Sequence, residues 1–240
     1  MHLEAILFDL GNTLVTHSIK EKILIREALK NIDAIISKNK TKSREIILFS
    51  ECNEVYMEID LIRNKLNIEI PLEIWLSKLL IRVYGDEFSE ELLNIAKRIM
   101  IEARSSYVKT FDKVPEVLNK LKSKYLLGII SNTSSSDVVF RVLSNLKIID
   151  FFDNIITSAE FGVRKPYPGI FLHALRELNI KEPNMAVFVG DSLKYDITGA
   201  KNIGMKAILF DKDSTQKGVS HADIIISTIE DLPKALEKLE

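Results

Sequence analysis

Four charged side chains stand where apolar segments of the chain end. Asp9 closes the run ILFD, Asp191 follows AVFVG, and Asp196 comes five residues later. Lys165 lies in GVRKPYPGIF, between two further apolar segments. Carboxylates can act as nucleophiles or hold hard cations, and a lysine can neutralise an anion. If the preceding segments are neighbouring parallel strands, these groups form one polar cluster beyond their carboxyl ends.

A hydroxyl and an amide follow a further apolar run, YLLGIIS. Its last residue is Ser131, and Asn132 and Thr133 come next. Taken singly, such residues have ordinary structural roles: an aspartate can be a helix N-cap and a serine a loop hydroxyl. The joint arrangement of two acids, a hydroxyl–amide pair and a lysine at separate strand ends favours a functional site.

The elements that must position these groups are short apolar strands. The predicted strands are nearly continuous in hydrophobicity and rich in Ile and Val, which is typical of parallel strands covered on both faces. They cover residues 4–9, 125–131, 152–157, 185–191, 206–211 and 222–227. Helical patterns alternate with the strands after residue 125. The sequence therefore predicts an α/β fold with a doubly wound, Rossmann-like parallel sheet.

Residues 17–107 have a different pattern. Four long amphipathic segments follow one another without an intervening strand, which predicts a helical lid inserted after the first strand. We therefore expect a core domain of residues 1–16 and 108–240 and a helical cap domain of residues 17–107. The alternative is one larger helical face of a single domain. Within this region Trp75, Tyr56 and Met57 are expected in the core.

Composition excludes several classes of protein. The chain has 240 residues, 46% of them hydrophobic, and 33 basic against 34 acidic residues give a net charge of −1. This balance predicts no nucleic-acid partner and no anionic membrane partner. A single cysteine, Cys52, fits a reducing compartment, and neither a leader pattern nor a membrane span is found. We expect a cytoplasmic protein, either a monomer or a homodimer.

Four motifs carry a resemblance to a known family. DLGNT, SNT, RKP and GDSLKYD resemble, in order and spacing, motifs I to IV of the haloacid dehalogenase superfamily. The chain is similar to the phosphatase branch with a helical cap after motif I, and the resemblance spans nearly its whole length. It implies a hydrolase that cleaves a small phosphorylated metabolite.

The resemblance implies catalytic and phosphate-binding roles. Asp9 would attack phosphorus to form an aspartyl-phosphate, and Lys165 would neutralise the phosphoryl oxygens. Ser131 and backbone amides near Gly11, Asn12 and Asn132 would donate hydrogen bonds to these oxygens.

A magnesium ion is also implied. The carboxylates of Asp9 and Asp191 and the backbone carbonyl of Gly11 would hold Mg²⁺. Ser192 and Asp196 would contact these ligands without binding the metal themselves. Asp196 is expected to orient a metal-bound water or to anchor Lys165 rather than to bind the metal directly.

The sequence departs from the family pattern at Gly11. Most phosphatases of this family carry there a second aspartate that protonates the leaving oxygen and later activates water. A backbone carbonyl can still bind metal at a glycine, but the acid–base group is missing. General acid–base catalysis contributes about 10²–10⁴-fold. Thr13, His17 or a carboxylate of the lid could substitute, and the sequence does not choose between them.

Two other functions stay open at this point. A metal-independent 2-haloacid dehalogenase would use the same aspartate on carbon, although such enzymes usually have an aromatic residue at the position of Gly11 and lack the acid at 191. A homologue without enzymatic activity would bind phosphate or a protein partner. Asp9, Lys165 and Asp191 together favour retained phosphatase chemistry.

Overall fold

A parallel six-stranded sheet forms the centre of the protein. The computed structural model describes residues 2–36, 44–215 and 221–240. The strands are β1 (Ala5–Phe8), β2 (Val15–His17), β3 (Val108–Thr110), β4 (Leu126–Ser131), β5 (Asn154–Thr157), β6 (Ala186–Gly190), β7 (Lys206–Phe210) and β8 (Ile224–Ile226). Six of them form one sheet in the order β5-β4-β1-β6-β7-β8. The six strands predicted from the sequence are confirmed.

Helices cover both faces of this sheet and form the insertion. They are α1 (Glu21–Ile36), α2 (Glu45–Leu66), α3 (Leu72–Tyr84), α4 (Glu90–Ser105), α5 (Val114–Lys122), α6 (Ser136–Asn145), α7 (Ser158–Phe161), α8 (Pro168–Glu177), α9 (Thr198–Asn202) and α10 (Leu232–Glu237). The chain after β6 forms a π-helical turn, Leu193–Ile197, followed by the short α9. The predicted doubly wound α/β fold is confirmed.

Strand β1 lies in the middle of the sheet. The chain first adds β4 and β5 on one side of it and then crosses over to add β6, β7 and β8 on the other side. It pairs in parallel with β4 on one side and with β6 on the other. Phe8 is in register with Ile129 and Val189. The carboxyl end of β1 is therefore the topological switch point, where open α/β sheets bind ligands.

Alternating residues of each strand build two apolar layers. Ile6 and Phe8 of β1 pack into the layer that includes α5, α6 and α10. Ala5 and Leu7 point into the opposite layer, which includes α8 and α9. Burial on both faces explains why the strands read as continuous apolar runs, because neither face needs polar side chains.

The four-helix insertion is joined to the sheet by a two-stranded ribbon. Strands β2 and β3 pair antiparallel, with Thr16 opposite Lys109, and α1 to α4 lie between them in the chain. We call these four helices the helical cap. Both predicted boundaries, 17 and 107, fall at this ribbon, and the division into two domains stays a prediction.

Three aromatic or sulfur-containing side chains of the cap were expected in its core. Trp75 is 6% exposed, but Tyr56 and Met57 are 51% and 58% exposed. The prediction is wrong for the latter two because α2 buries only one face, which includes Leu48, Cys52 and Val55. In the described part of the chain, no helix combines the length and the apolar character that crossing a bilayer requires.

Replacement of Phe188 tests the packing beneath the strand ends. This fully buried ring of β6 lies edge-on to Phe171, with centroids 5.2 Å apart. We expect Phe188→Ala to lower the free energy of unfolding by about 3–5 kcal/mol, because it leaves a cavity in a close-packed layer. Urea denaturation measures the change. The control is Ile46→Ala at an 85% exposed position, where a change above about 0.5 kcal/mol would contradict the assignment of the core.

Candidate active site

The carboxyl ends of β4, β1 and β6 bring the predicted site residues to one edge of the sheet. Asp9 directly follows β1, and its backbone N–H donates to the carbonyl of Val189 in β6 at 2.9 Å. Ser131 is the last residue of β4 and is buried. Asp191 directly follows β6. Three parallel neighbours therefore present a nucleophile candidate, a hydroxyl and a second acid side by side.

Lys165 connects these strand ends. Its Nζ lies 2.6 Å from Oδ1 of Asp9 and 2.7 Å from Oδ1 of Asp196. The side chain is only 1% exposed, and its ammonium lies 5.0 Å from the ring centroid of Phe188. A buried ammonium requires such partners, because removal of an unpaired charge from water costs several kcal/mol.

Asn132 holds the backbone of this lysine. Its Oδ1 accepts from the N–H of Lys165 at 2.9 Å, and its Nδ2 donates to the Lys165 carbonyl at 3.0 Å. The two hydrogen bonds join the loop after β4 to the loop before α8. Asn132 was predicted as a phosphate ligand. The structure shows a positioning contact in addition, and the phosphate-binding role stays a prediction.

Three carboxyl groups meet next to Lys165. Asp9, Asp191 and Asp196 each have an oxygen that lies within 4.8 Å of the others. Three ionised carboxylates and one ammonium leave two negative charges in a largely buried site. A divalent cation balances this charge, and oxygen donors suit a hard ion. The residues therefore fit a divalent metal.

Burial first, and then the neighbouring charges, shift the pKa values of the acids at this site. Burial raises the pKa of Asp9 to about 7; Lys165 opposes the rise and Asp196 adds to it. Burial, with the charge of Asp196, raises the pKa of Asp191 to about 6. Burial alone would lower the pKa of Lys165, but the carboxylates of Asp196 and Asp9 outweigh it and raise the pKa. The lysine is thus charged, and the acids hold protons more tightly than usual.

The turn after β1 places small polar groups around Asp9. Thr13 donates from Oγ1 to Oδ2 of Asp9 at 3.4 Å. Asn12 has a positive φ of 57°, and its N–H donates to the Val15 carbonyl at 2.7 Å. Gly11 is exposed, and no heavy atom of the described residues lies within 4 Å of a Cβ built on it. The turn is closed by backbone contacts and leaves open space at residue 11.

Asp196 is fixed by the loop after β6. Its Oδ2 accepts from the N–H of Ser192 at 3.0 Å, while Ser192 Oγ accepts from the N–H of Tyr195 at 3.2 Å. A Cβ at Gly190 would lie 2.5 Å from the Asp196 carboxyl. The glycine in GDS is therefore required for close approach of this carboxylate to the strand end. His17, a proposed substitute acid, is exposed in β2, with Nε2 3.3 Å from the Arg104 carbonyl.

Sequence reasoning missed a second group of charged residues at the contact between cap and core. Glu69 is buried and lies 2.9 Å from Nε of Arg63, and it also pairs with Arg164. Glu69 lies in the segment NIEIPLE, between α2 and α3. An acidic residue among apolar ones could have indicated a buried carboxylate. Its arginine partners could not be found in the same way, because they lie in α2 and after β5.

The fold places an aspartate, a lysine and two further carboxyl groups together at adjacent strand ends. The family model described as haloacid dehalogenase-like hydrolase matches residues 3–204. The chain belongs to this family, and the predictions of the family and of a hydrolase are confirmed.

Three relatives illustrate the range of similarity. A glyceraldehyde 3-phosphate phosphatase from Pyrococcus furiosus is 32% identical over 183 residues, 67% of this chain and 73% of the relative. A phosphoglycolate phosphatase from Aquifex aeolicus is 31% identical over 160 residues, 66% of this chain and 74% of the relative. The crystal structure of a 2-haloacid dehalogenase from Pseudomonas syringae superposes with a TM-score of 0.76 at 23% identity, covering 99% and 100% of the two chains. That last likeness concerns the fold alone.

The raised pKa values predict a pH-dependent affinity for divalent cations. At pH 5 the carboxyls of Asp9 and Asp191 are protonated, so a cation must displace protons. At pH 8 both groups are ionised. With Mg²⁺ as the probe, we expect binding to be on the order of a hundredfold tighter at pH 8 than at pH 5. Titration calorimetry on chelator-treated protein measures this ratio.

The control separates this site from general surface binding. Asp191→Asn is expected to lose the pH-dependent affinity, whereas Asp112→Asn, at an exposed position, should retain it. Equal Mg²⁺ affinity at both pH values would show that the three carboxyls do not form the cation site.

Proposed function

We propose that this protein is a Mg²⁺-dependent phosphatase of a small phosphorylated metabolite that acts through an aspartyl-phosphate. The observation that carries the proposal is the contact of Lys165 Nζ with Asp9, 2.6 Å, beside two further carboxyls at adjacent strand ends. Curated relatives at 31–32% identity, named phosphatases of glyceraldehyde 3-phosphate and of phosphoglycolate, support the same reaction class.

Asp9 is the proposed nucleophile. An oxygen of its carboxylate attacks phosphorus and forms the O–P bond of the aspartyl-phosphate, while the bond from phosphorus to the leaving oxygen breaks. Water then cleaves the aspartyl-phosphate and restores Asp9. Lys165 holds Oδ1 of Asp9, and Thr13 donates to Oδ2. Both contacts restrict the rotation of the attacking carboxylate.

Positive charge and hydrogen bonds receive the phosphoryl oxygens. The Lys165 ammonium offsets their negative charge. The proposed hydrogen-bond donors are the Ser131 hydroxyl, the backbone N–H of Asn132 and the side-chain amide of Asn12, whose own N–H is bonded to Val15. Asp9, Asp191 and the carbonyl of Gly11 would hold Mg²⁺, which when bound reduces the repulsion between the carboxylate and the phosphate. Asp196 anchors Lys165 at 2.7 Å.

Because residue 11 is a glycine, the rate of hydrolysis depends on the basicity of the leaving group. Without a carboxylic acid at this position the leaving oxygen departs without a proton from residue 11. The hydrolysis of an aryl or acyl phosphate is slowed little, because its leaving group is a weak base. The hydrolysis of an alkyl phosphate is slowed more, because its alkoxide leaving group is strongly basic.

Turnover of p-nitrophenyl phosphate tests the proposed reaction. We expect release of p-nitrophenol with Mg²⁺ and little release in excess chelator. Asp9→Asn should lower kcat at least about 10³-fold, because the amide cannot serve as the nucleophile. The exposed Asp112→Asn should leave kcat unchanged.

Two results would count against the phosphatase. Absence of metal-dependent turnover in a folded wild-type protein would favour a binding role without catalysis. Metal-independent release of halide from 2-chloropropionate, lost in Asp9→Asn, would instead establish the dehalogenase reaction.

Restoration of the missing acid is a separate test. The φ angle of Gly11 lies outside the left-handed region, and the described residues leave room for a side chain there. Gly11→Asp is expected to speed hydrolysis of ethyl phosphate by about 10²-fold or more, and that of p-nitrophenyl phosphate far less. The ratio of kcat for the two esters is the measurement. Gly11→Asn, of equal size without a proton-donating carboxyl, is the matched control, and equal acceleration of both esters by Gly11→Asp would contradict the explanation.

A further inference from the structure

A cavity of about 420 Å³ lies between the helical cap and the loop that follows β4. Side chains of α1, α2, α3 and α4 line one side, and Asn132, Thr133 and Ser134 line the other. Asn132 also brackets the backbone of Lys165 with two hydrogen bonds. The cavity therefore adjoins the loop that holds the proposed phosphoryl site, and its volume suits a small ligand.

Three arginines line this cavity, and they come from three separate parts of the chain. Arg63 lies in α2, Arg104 in α4, and Arg164 directly before Lys165. Arg63 and Arg164 share a single carboxylate, Glu69. Two guanidinium groups on one carboxylate leave a surplus of one positive charge.

Glu69 holds its two arginines in fixed positions. Its side chain has no exposed surface and accepts a further hydrogen bond from Ser158 Oγ at 2.6 Å. The N–H of Glu69 donates to the Gly162 carbonyl at 2.8 Å, which joins the cap to the core. A ligand would therefore meet a preorganised charged surface, and little side-chain entropy would be lost on binding.

Arg104 of α4 completes the cluster. Its Nη1 donates to Ser134 Oγ at 2.9 Å, and its Nε lies 3.2 Å from Oε1 of Glu21. Lys22 also lines the cavity. Its ammonium and the three guanidinium groups face two carboxylates, Glu21 and Glu69, so positive charge is in excess. This excess matches a carboxylate better than a neutral group.

We infer that this cavity binds a carboxylate on the substrate, so that the enzyme prefers phosphorylated carboxylic acids to phosphate esters with a neutral tail. The inference rests on the proposed function, because it places the phosphoryl end of the substrate at Asp9 and Lys165. Arg63, Arg104 and Arg164 are the specificity-determining residues. A phosphorylated aldehyde of the same length would leave the surplus charge unpaired.

Two phosphonates that cannot be hydrolysed test this preference by binding alone. 3-Phosphonopropionate has a carboxylate tail, and propylphosphonate has a methyl group in its place. Titration calorimetry with Mg²⁺ should give a dissociation constant about 10- to 100-fold lower for the carboxylate with the wild-type protein, as expected for a charge-assisted contact. Arg104→Met and Arg63→Met should each reduce this ratio to within about threefold of unity.

Arg98→Met is the matched control, since Arg98 is exposed on the same helix as Arg104 and lines a different surface. It should keep the wild-type ratio. Circular dichroism checks the fold of each variant, and if Arg63→Met unfolds because it breaks a buried pair, Arg104→Met decides. Equal affinities in the wild type, no binding of either phosphonate, or a ratio unchanged in Arg104→Met would overturn the inference.

The proposed function is tested separately by turnover of p-nitrophenyl phosphate. If the protein hydrolyses the ester but binds both phosphonates equally, the carboxylate site is contradicted and the phosphatase is supported. If it distinguishes the phosphonates but hydrolyses no ester, the phosphatase is contradicted and the binding preference is supported.

Discussion

The buried ammonium of Lys165 holds the site together, because it is the cation that the structure places between the acids of two strand ends. Asp9 follows β1, Asp196 lies in the turn after β6, and Lys165 contacts both within 2.7 Å. Loss of either contact would leave a buried charge with too little compensation, which costs several kcal/mol. The hydrogen bonds from Asn132, the ring of Phe188 beneath the ammonium and the glycine at 190 all serve this arrangement.

The same arrangement explains why the site fits a cation. One lysine ammonium cannot neutralise three carboxylates, and burial raises the free-energy cost of the remaining negative charge. The raised pKa values of Asp9 and Asp191 are the consequence in the protein alone. Protons and a divalent cation therefore compete for the same carboxylate oxygens.

The helical cap is held against this edge of the sheet by a second buried charge. Glu69 forms ion pairs with Arg63 of the cap and with Arg164 of the core. Arg164 is the residue before Lys165. The position of the cap and the position of Lys165 thus depend on one segment of backbone.

Much of the fold followed from periodicity. Buried parallel strands must be apolar on both faces, so runs such as those containing Phe8 and Val189 are recognisable without coordinates. Asp9, Lys165 and Asp191 could be proposed as a group because the carboxyl ends of parallel strands share an edge. The glycine at position 11 was also visible, since it depends only on which residue occupies that position, and its effect on catalysis stays a prediction.

Other features depended on contacts between distant segments. The exposure of Tyr56 and Met57 depends on which face of α2 the neighbouring helices cover, and the amphipathic pattern of that helix is weak. The pairing of Glu69 with Arg63 and Arg164 joins residues up to 95 positions apart. The sequence by itself determined the strands, the acids at their ends and the glycine at position 11, because these are local properties of the chain. Only the tertiary structure decided that Lys165 bridges Asp9 and Asp196 and that three arginines line one cavity, because distance in space is not encoded by spacing along the chain.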